Sequence, residues 1–210
     1  MYNALFISDV HLGCGEGSEK ELVRLLEEIK VNRVYLVGDI IDGWYSRVKN
    51  DWNKYHTKVV RKFLKLAETT DIIYLIGNHD DFMTSFLRNP FDVGTIKIMQ
   101  STVHEAINGK RYLITHGHKF DYIEWIPLKL RLLWGKINPN AWKNTDEMYC
   151  STEKLIKKFI KGKYDGVICG HTHKHKMEEA YMNCGHWNKE RTYIVETMDG
   201  TFESRTFPKI

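Results

Sequence analysis

Ala4-Leu5-Phe6-Ile7-Ser8-Asp9-Val10-His11-Leu12-Gly13 joins a continuous apolar run to a carboxylate and an imidazole two residues apart. The run predicts a strand, and its end places Asp9 and His11 just past that strand. Four later stretches repeat the arrangement, each after its own apolar run: Gly38-Asp39-Ile40-Ile41-Asp42, Gly77-Asn78-His79-Asp80, Thr115-His116-Gly117-His118 and Gly170-His171-Thr172-His173. In open α/β sheets, residues beyond the carboxyl ends of strands converge on one crevice, so five stretches far apart in sequence are expected to meet there.

Outward from this frame, Ser18 is placed to cap a helix over Glu19 to Lys30, with Leu22, Leu25, Leu26 and Ile29 on one face. Val34 to Val37 and Ile72 to Ile76 are apolar without alternation, as strands covered on both faces require. Between them, Trp52 to Ala67 has helical periodicity. Beyond Thr95 the texture changes to short strands: Thr95 to Met99, Thr102 to Ile107, an Asn108-Gly109 turn, then Arg111 to Thr115. Helical segments are expected over Asp121 to Lys161, broken at Pro127 and between Gly135 and Pro139. Val167 to Cys169, Met177 to Tyr181, Thr192 to Glu196 and Thr201 to Arg205 close the chain as strands. This order predicts an α/β protein: a four-layer α/β/β/α sandwich of two mixed sheets, a single domain over 1–210 with a helical insertion or lid over 121–162.

With 210 residues and a 42% hydrophobic share, the chain has enough for one core. A formal charge of +4 is too small for a dedicated nucleic-acid binder, so none is expected. Four well-separated cysteines without a CxxC pair suit a reduced, intracellular setting. No basic, then apolar leader precedes the first strand, and no apolar stretch reaches the roughly 18 residues of a spanning helix. These features predict a soluble, cytoplasmic protein that has room for peripheral contact with the inner face of a membrane.

Asp, His and Asn supply oxygen and nitrogen donors suited to Mn²⁺, Fe²⁺, Zn²⁺ or Ni²⁺ rather than to a thiolate-selected ion. Two such ions roughly 3.5 to 4 Å apart can clamp the attacking and leaving oxygens of a displacement at phosphorus. Phosphate esters hydrolyse very slowly unaided, so that clamp meets a large demand.

The five blocks, in this order, resemble the signature of the calcineurin-like metallophosphoesterase superfamily. The resemblance implies a dinuclear phosphoesterase with two divalent ions, Mn²⁺ foremost. Carried over position by position, it implies Asp9, His11, Asp39 and His173 at the first ion and Asp39, Asn78, His116 and His171 at the second. Asp39 would bridge, His79 would reach the scissile phosphate, Asp80 would hold the His79 imidazole, and Asp42 would orient a ligand or its loop.

Within the superfamily the chain is similar to the UDP-2,3-diacylglucosamine pyrophosphatases and their uncharacterised relatives. The similarity rests on Gly38 to Trp44, Gly77 to Phe82, His116 to Asp121, Asp165 to His173 and Asn183-Cys184-Gly185. It implies cleavage of a phosphodiester or diphosphate, with a nucleotide-linked lipid foremost. The alternatives are a broad phosphodiesterase or nucleotide pyrophosphatase acting on non-lipid substrates, and an inactive scaffold. The lipid A enzymes carry Arg where His79 stands and commonly Asp where His118 and His186 stand. Gly43-Trp44 departs from the Arg-Gly of protein phosphatases.

His118 reads either as a substrate contact or as a solvated loop residue, and His186 as lining the site or packed in its loop. His56, His104 and His175 read as surface residues, and Asp81 as a helix-start carboxylate. The crowded apolar and basic stretch Tyr122 to Trp134 is either a core cap or a lid that receives acyl chains or rests on an anionic bilayer. In the second case Lys129, Arg131 and Lys136 would bind a second phosphate.

Overall fold

β1 (Tyr2–Ile7) is apolar without alternation because both of its faces are covered. Leu5 and Ile7 point to one core, with Leu22, Leu25, Leu26, Val59 and Phe63, while Ala4 and Phe6 point to a second, with Tyr112, Ile114, Ile168 and Met182. The computed structural model describes residues 1–15, 17–46, 51–88, 96–121 and 145–209.

The other strands are β2 (Val31–Val37), β3 (Asp71–Leu75), β4 (Ile96–Met99), β5 (Ser101–Glu105), β6 (Arg111–Thr115), β7 (Gly166–Cys169), β8 (Lys176–Glu178), β9 (Tyr181–Asn183), β10 (Thr192–Thr197) and β11 (Phe202–Thr206). One sheet runs β11-β10-β1-β2-β3-β4, the other β5-β6-β7-β9-β8. In the first, β1 to β4 are parallel and β10 and β11 antiparallel. In the second, β6, β7 and β9 are parallel while β5 and β8 pair antiparallel at the edges. Helices α1 (Glu19–Glu28) and α3 (Lys54–Leu66) cover the outer face of the first sheet. A later helix, α5 (Thr145–Ile160), puts Ile156 and Ile160 on the outer face of the second, against Leu113, Val167, Cys169 and Tyr181. The expected α/β/β/α sandwich is the architecture observed.

Local chemistry moved several boundaries. Ser18 precedes α1 but makes no side-chain cap, because its hydroxyl donates to the Asn188 carbonyl at 3.1 Å. α3 begins at Lys54, since Asn53 Oδ1 accepts from the Tyr55 and His56 amides and His56 Nδ1 accepts from Asn53 N–H, a reciprocal capping box. Met177 to Tyr181 is two strands with the turn at Glu179-Ala180, paired so that Lys176 faces Asn183. Short helices α2 (Gly43–Ser46), α4 (Thr84–Arg88) and α6 (Trp187–Glu190) were not anticipated.

Two of the histidines read as surface residues are buried. His56 Nε2 lies 2.6 Å from Glu19 Oε1 behind α1. His104 sits between the sheets, 3.0 Å from the Tyr35 hydroxyl and 2.8 Å from Glu196 Oε2. Burial alone would raise the Glu196 carboxyl, but hydrogen bonds from His104, Asn3 and the Ile107 amide hold it below the usual range. His175 is half-buried and receives or gives a hydrogen bond to Ser204 Oγ at 2.7 Å.

Most of the insertion expected over 121–162, with Lys129, Arg131 and Lys136, lies outside the described residues. Among the described residues, no helix is long and apolar enough to cross a membrane.

Candidate metal centre

Strand geometry brings the five stretches together. Asp9 and His11 follow β1, Asp39 follows β2, Asn78 and His79 follow β3, His116 follows β6, and His171 and His173 follow β7. Asp9, His11, Asp39, His171 and His173 all have φ between 51° and 70°; Arg191 is the sixth non-glycine residue with positive φ among the described residues. For an L-residue that conformation costs about 1 to 2 kcal/mol, and it persists only where surroundings enforce it. Here the loops hold one another: Asp9 N–H donates to Gly38 O, His11 N–H to Asp39 O and Gly170 N–H to His116 O, at 2.9 to 3.1 Å. Two motif glycines are demanded by space. A Cβ at Gly77 would collide with the Asp39 carboxylate, and one at Gly170 with Ser8 Oγ and Asp9 Oδ2.

Two groups of donors result. In the first, His173 Nε2 is 3.1 Å from Asp9 Oδ1 and 3.4 Å from His11 Nε2, and His11 Nε2 is 4.0 Å from Asp39 Oδ2. In the second, Asn78 Oδ1 is 3.2 Å from His116 Nε2 and 3.1 Å from His171 Nδ1, with His116 Nε2 at 3.1 Å from Asp39 Oδ2. Asp39 Oδ2 belongs to both.

The far ring nitrogens are tied back. His11 Nδ1 lies 3.1 Å from Asp42 Oδ2, His116 Nδ1 donates to Val37 O at 2.9 Å, and His171 Nε2 lies 3.1 Å from Asp121 Oδ2. Such ties fix which nitrogen faces the centre.

The electrostatics are those of a cradle for cations. Burial would raise both carboxyls, yet neighbouring imidazoles hold Asp9 far below the usual range and Asp39 at about 2. Burial would lower His116, but Asp39 and Asp9 push it up to about 10. Fully buried Asp9 Oδ1 has His173 Nε2 at 3.1 Å but no well-formed hydrogen bond, an arrangement that a positive group between them would complete. Nitrogen and oxygen donors, no thiolate, and an incompletely paired carboxylate oxygen fit divalent ions.

The sequence profile of the calcineurin-like phosphoesterases matches residues 2–175. The chain belongs to that family. It is therefore a hydrolase of phosphate esters, of a kind that uses divalent metals, and the cradle supplies candidate ligands. UDP-2,3-diacylglucosamine hydrolase from Yersinia pseudotuberculosis serotype O:1b is 25% identical over 245 aligned residues, which cover 98% of this chain and 99% of that one. The Yersinia pestis protein of the same name gives the same identity and coverage. Among solved structures, the phosphoesterase Yfce from E. coli superposes with a TM-score of 0.52 at 16% identity, over 98% of this chain and 99% of its own. A single mutant of Vps29 from Entamoeba histolytica does so with 0.50 at 12%, with the same coverage. The structural likenesses show a shared fold.

For this phosphoesterase, the structure corrects one expected contact. Asp80 does not hold His79: its carboxylate accepts from the Ile40, Ile41 and Gly77 amides and the Tyr74 hydroxyl at 2.8 to 3.3 Å, pinning two site loops together. Burial and the Asp39 charge push it up to about 6. Asp42 takes the task instead, with Oδ2 3.0 Å from His79 Nδ1. His79 also stacks on Trp44 at 4.3 Å. Burial would lower its pKa, but Asp42 and Asp39 raise it.

His118 turns its ring to His116 and His171 at 5.6 and 6.4 Å, so it is not a solvated loop residue; burial beside those rings lowers it to about 3. His186 lines the site, stacked on His173 at 4.2 Å. Lys129 and Arg131 lie outside the described residues.

Asp121 enters the sequence reading as the end of the His116 to Asp121 stretch and the start of the insertion, with no role at the metal centre; spacing gives no sign that a carboxylate 50 residues away meets His171. Asp121→Ala should weaken one of two bound ions by about 10 to 100-fold and spare the other, with Asp121→Asn intermediate. Metal content after equilibrium dialysis measures this.

Proposed function

We propose that Asp9, His11, Asp39 and His173 hold one divalent ion, that Asp39, Asn78, His116 and His171 hold a second, and that the protein hydrolyses a phosphodiester or diphosphate bond. The observation that carries this reading is Asp39 Oδ2 standing within 3.1 Å of His116 Nε2 and 4.0 Å of His11 Nε2, common to both donor groups. Bound there, the ions supply an activated water and neutralise charge at phosphorus. Mn²⁺ is the leading ion.

The chain's own residues do the rest. Asp42 orients His11 and His79 together, so the imidazole that faces substrate is fixed relative to a ligand of the first ion. Held by Asp42 at Nδ1, His79 is oriented to give a proton to a phosphate oxygen or to the departing oxygen. Trp44 stacking limits its rotation. Asp80 keeps the Asp39 and Asn78 loops at fixed separation.

A nucleotide-linked lipid diphosphate is the leading substrate, supported by end-to-end similarity to UDP-2,3-diacylglucosamine hydrolases. Such a product leaves at a membrane surface, which suits a cytoplasmic protein with peripheral contact. A second reading, a phosphodiesterase for non-lipid substrates, is favoured by His79 standing where the lipid A enzymes carry Arg. Turnover of UDP-2,3-diacylglucosamine beside bis-p-nitrophenyl phosphate by the Mn²⁺-loaded protein separates them. Release of UMP supports the first reading, cleavage of the diester alone supports the second, and hydrolysis of neither rejects both.

A further inference from the structure

A cleft of about 770 Å³ opens from the metal centre. His11, His79, His173 and His186 line its inner end, and Lys189, Arg191 and Lys209 line it as well. Its volume is that of a small-ligand site. His186 ends the loop after β9, and α6 leads outward from it. A rise of about 1.5 Å per residue sets Lys189 only about 5 Å along the chain from His186.

The basic wall is built, not loose. Trp187 is fully buried and donates its indole N–H to Ser18 O at 3.1 Å, which fixes α6. Arg191, in the left-handed conformation, donates its backbone N–H to Trp187 O and Nε–H to Phe207 O, and accepts from Phe207 N–H. That exchange brings the chain's end, with Lys209, against α6. Lys189 and Lys209 are exposed, and neither forms an ion pair among the described residues. His186 is itself over nine-tenths buried, and its Nδ1 has no hydrogen-bond partner. Glu21 and Asp51 also line the cleft.

We infer that Lys189, Arg191 and Lys209 form a subsite for a second phosphate, next to the one cleaved, so that the cleft selects diphosphates over simple phosphodiesters. This rests on the phosphoesterase reading above. It assigns to described residues the task first expected of Lys129, Arg131 and Lys136. Flexible ammonium groups beside a guanidinium suit a mobile phosphate whose position varies with the group attached.

The test is calorimetric binding of UMP and of the non-hydrolysable α,β-methylene analogue of UDP to the Mn²⁺-loaded protein at fixed free Mn²⁺. The wild type should bind the diphosphate analogue at least about tenfold more tightly, since charge-assisted contacts to phosphate are the strong ones. The Lys189→Ala/Lys209→Ala variant should lose most of that preference, and Lys189→Arg/Lys209→Arg should keep it. Added salt should erode it in the wild type and in the arginine variant. Equal affinity for the two nucleotides in the wild type, or a preference unmoved by the alanines, would overturn the subsite. Binding needs no turnover, so failure to hydrolyse both UDP-2,3-diacylglucosamine and bis-p-nitrophenyl phosphate would count against the phosphoesterase reading separately.

Discussion

Asp39→Ala should abolish hydrolysis and paired metal binding together. The carboxylate touches both donor groups and also accepts the His79 N–H at 2.8 Å, so its loss dismantles each ion site and loosens the loop that presents His79. Removing one preorganised electrostatic donor typically costs 10² to 10³ in rate. Loss of a shared ligand should cost at least about a thousandfold, read on bis-p-nitrophenyl phosphate, with metal content falling below two ions per chain. Asp39→Asn, isosteric but uncharged, should fold and show nearly the same loss. Activity within tenfold of wild type in either variant would remove Asp39 from its assigned role.

Metal affinity should rise steeply with pH. In the metal-free protein His116 donates Nδ1–H to Val37 O and carries its second proton up to about pH 10, on the nitrogen that must ligate. Each ion bound at the second site therefore displaces a proton, and below that value apparent affinity should fall about tenfold per pH unit. Asp39, at about 2, is already ionised and adds nothing over this range.

The sign for stability is opposite. A raised His116 stabilises the metal-free fold fully below about pH 6.5, its unfolded value, and that contribution fades as pH climbs towards about 10. The metal-loaded fold should instead gain stability with pH, because tighter binding favours the folded state. Titration of Mn²⁺ at pH 6 to 8.5, in buffers of different ionisation enthalpy, counts the protons released. About one per ion at the second site is expected; none would show that His116 ligates without deprotonation or does not ligate.

The legible part of this molecule is what strand ends and burial dictate. β1, β2 and β3 declare themselves because covering on both faces leaves no polar alternation, and their ends carry the donors that meet. Long-range pairings of polar groups were not legible. His56 meets Glu19 across 37 residues and His104 meets Glu196 across 92, so each looks in sequence like an unattached surface histidine.

Asp80 and Asp42 show the same limit at the site. Both lie near His79, and only the fold reveals that Asp80 is consumed by three backbone amides and a tyrosine hydroxyl while Asp42 faces the ring. The left-handed backbone at five candidate ligands was equally hidden, since no glycine marks those positions.

Electron paramagnetic resonance of the Mn²⁺-saturated protein, with metal content measured on the same sample, tests the shared carboxylate most directly. Two Mn²⁺ per chain, with an exchange-coupled spectrum that collapses to an isolated-ion signal in Asp39→Ala, is the predicted result. One ion per chain, or two that are magnetically independent in the wild type, would contradict a centre built around Asp39.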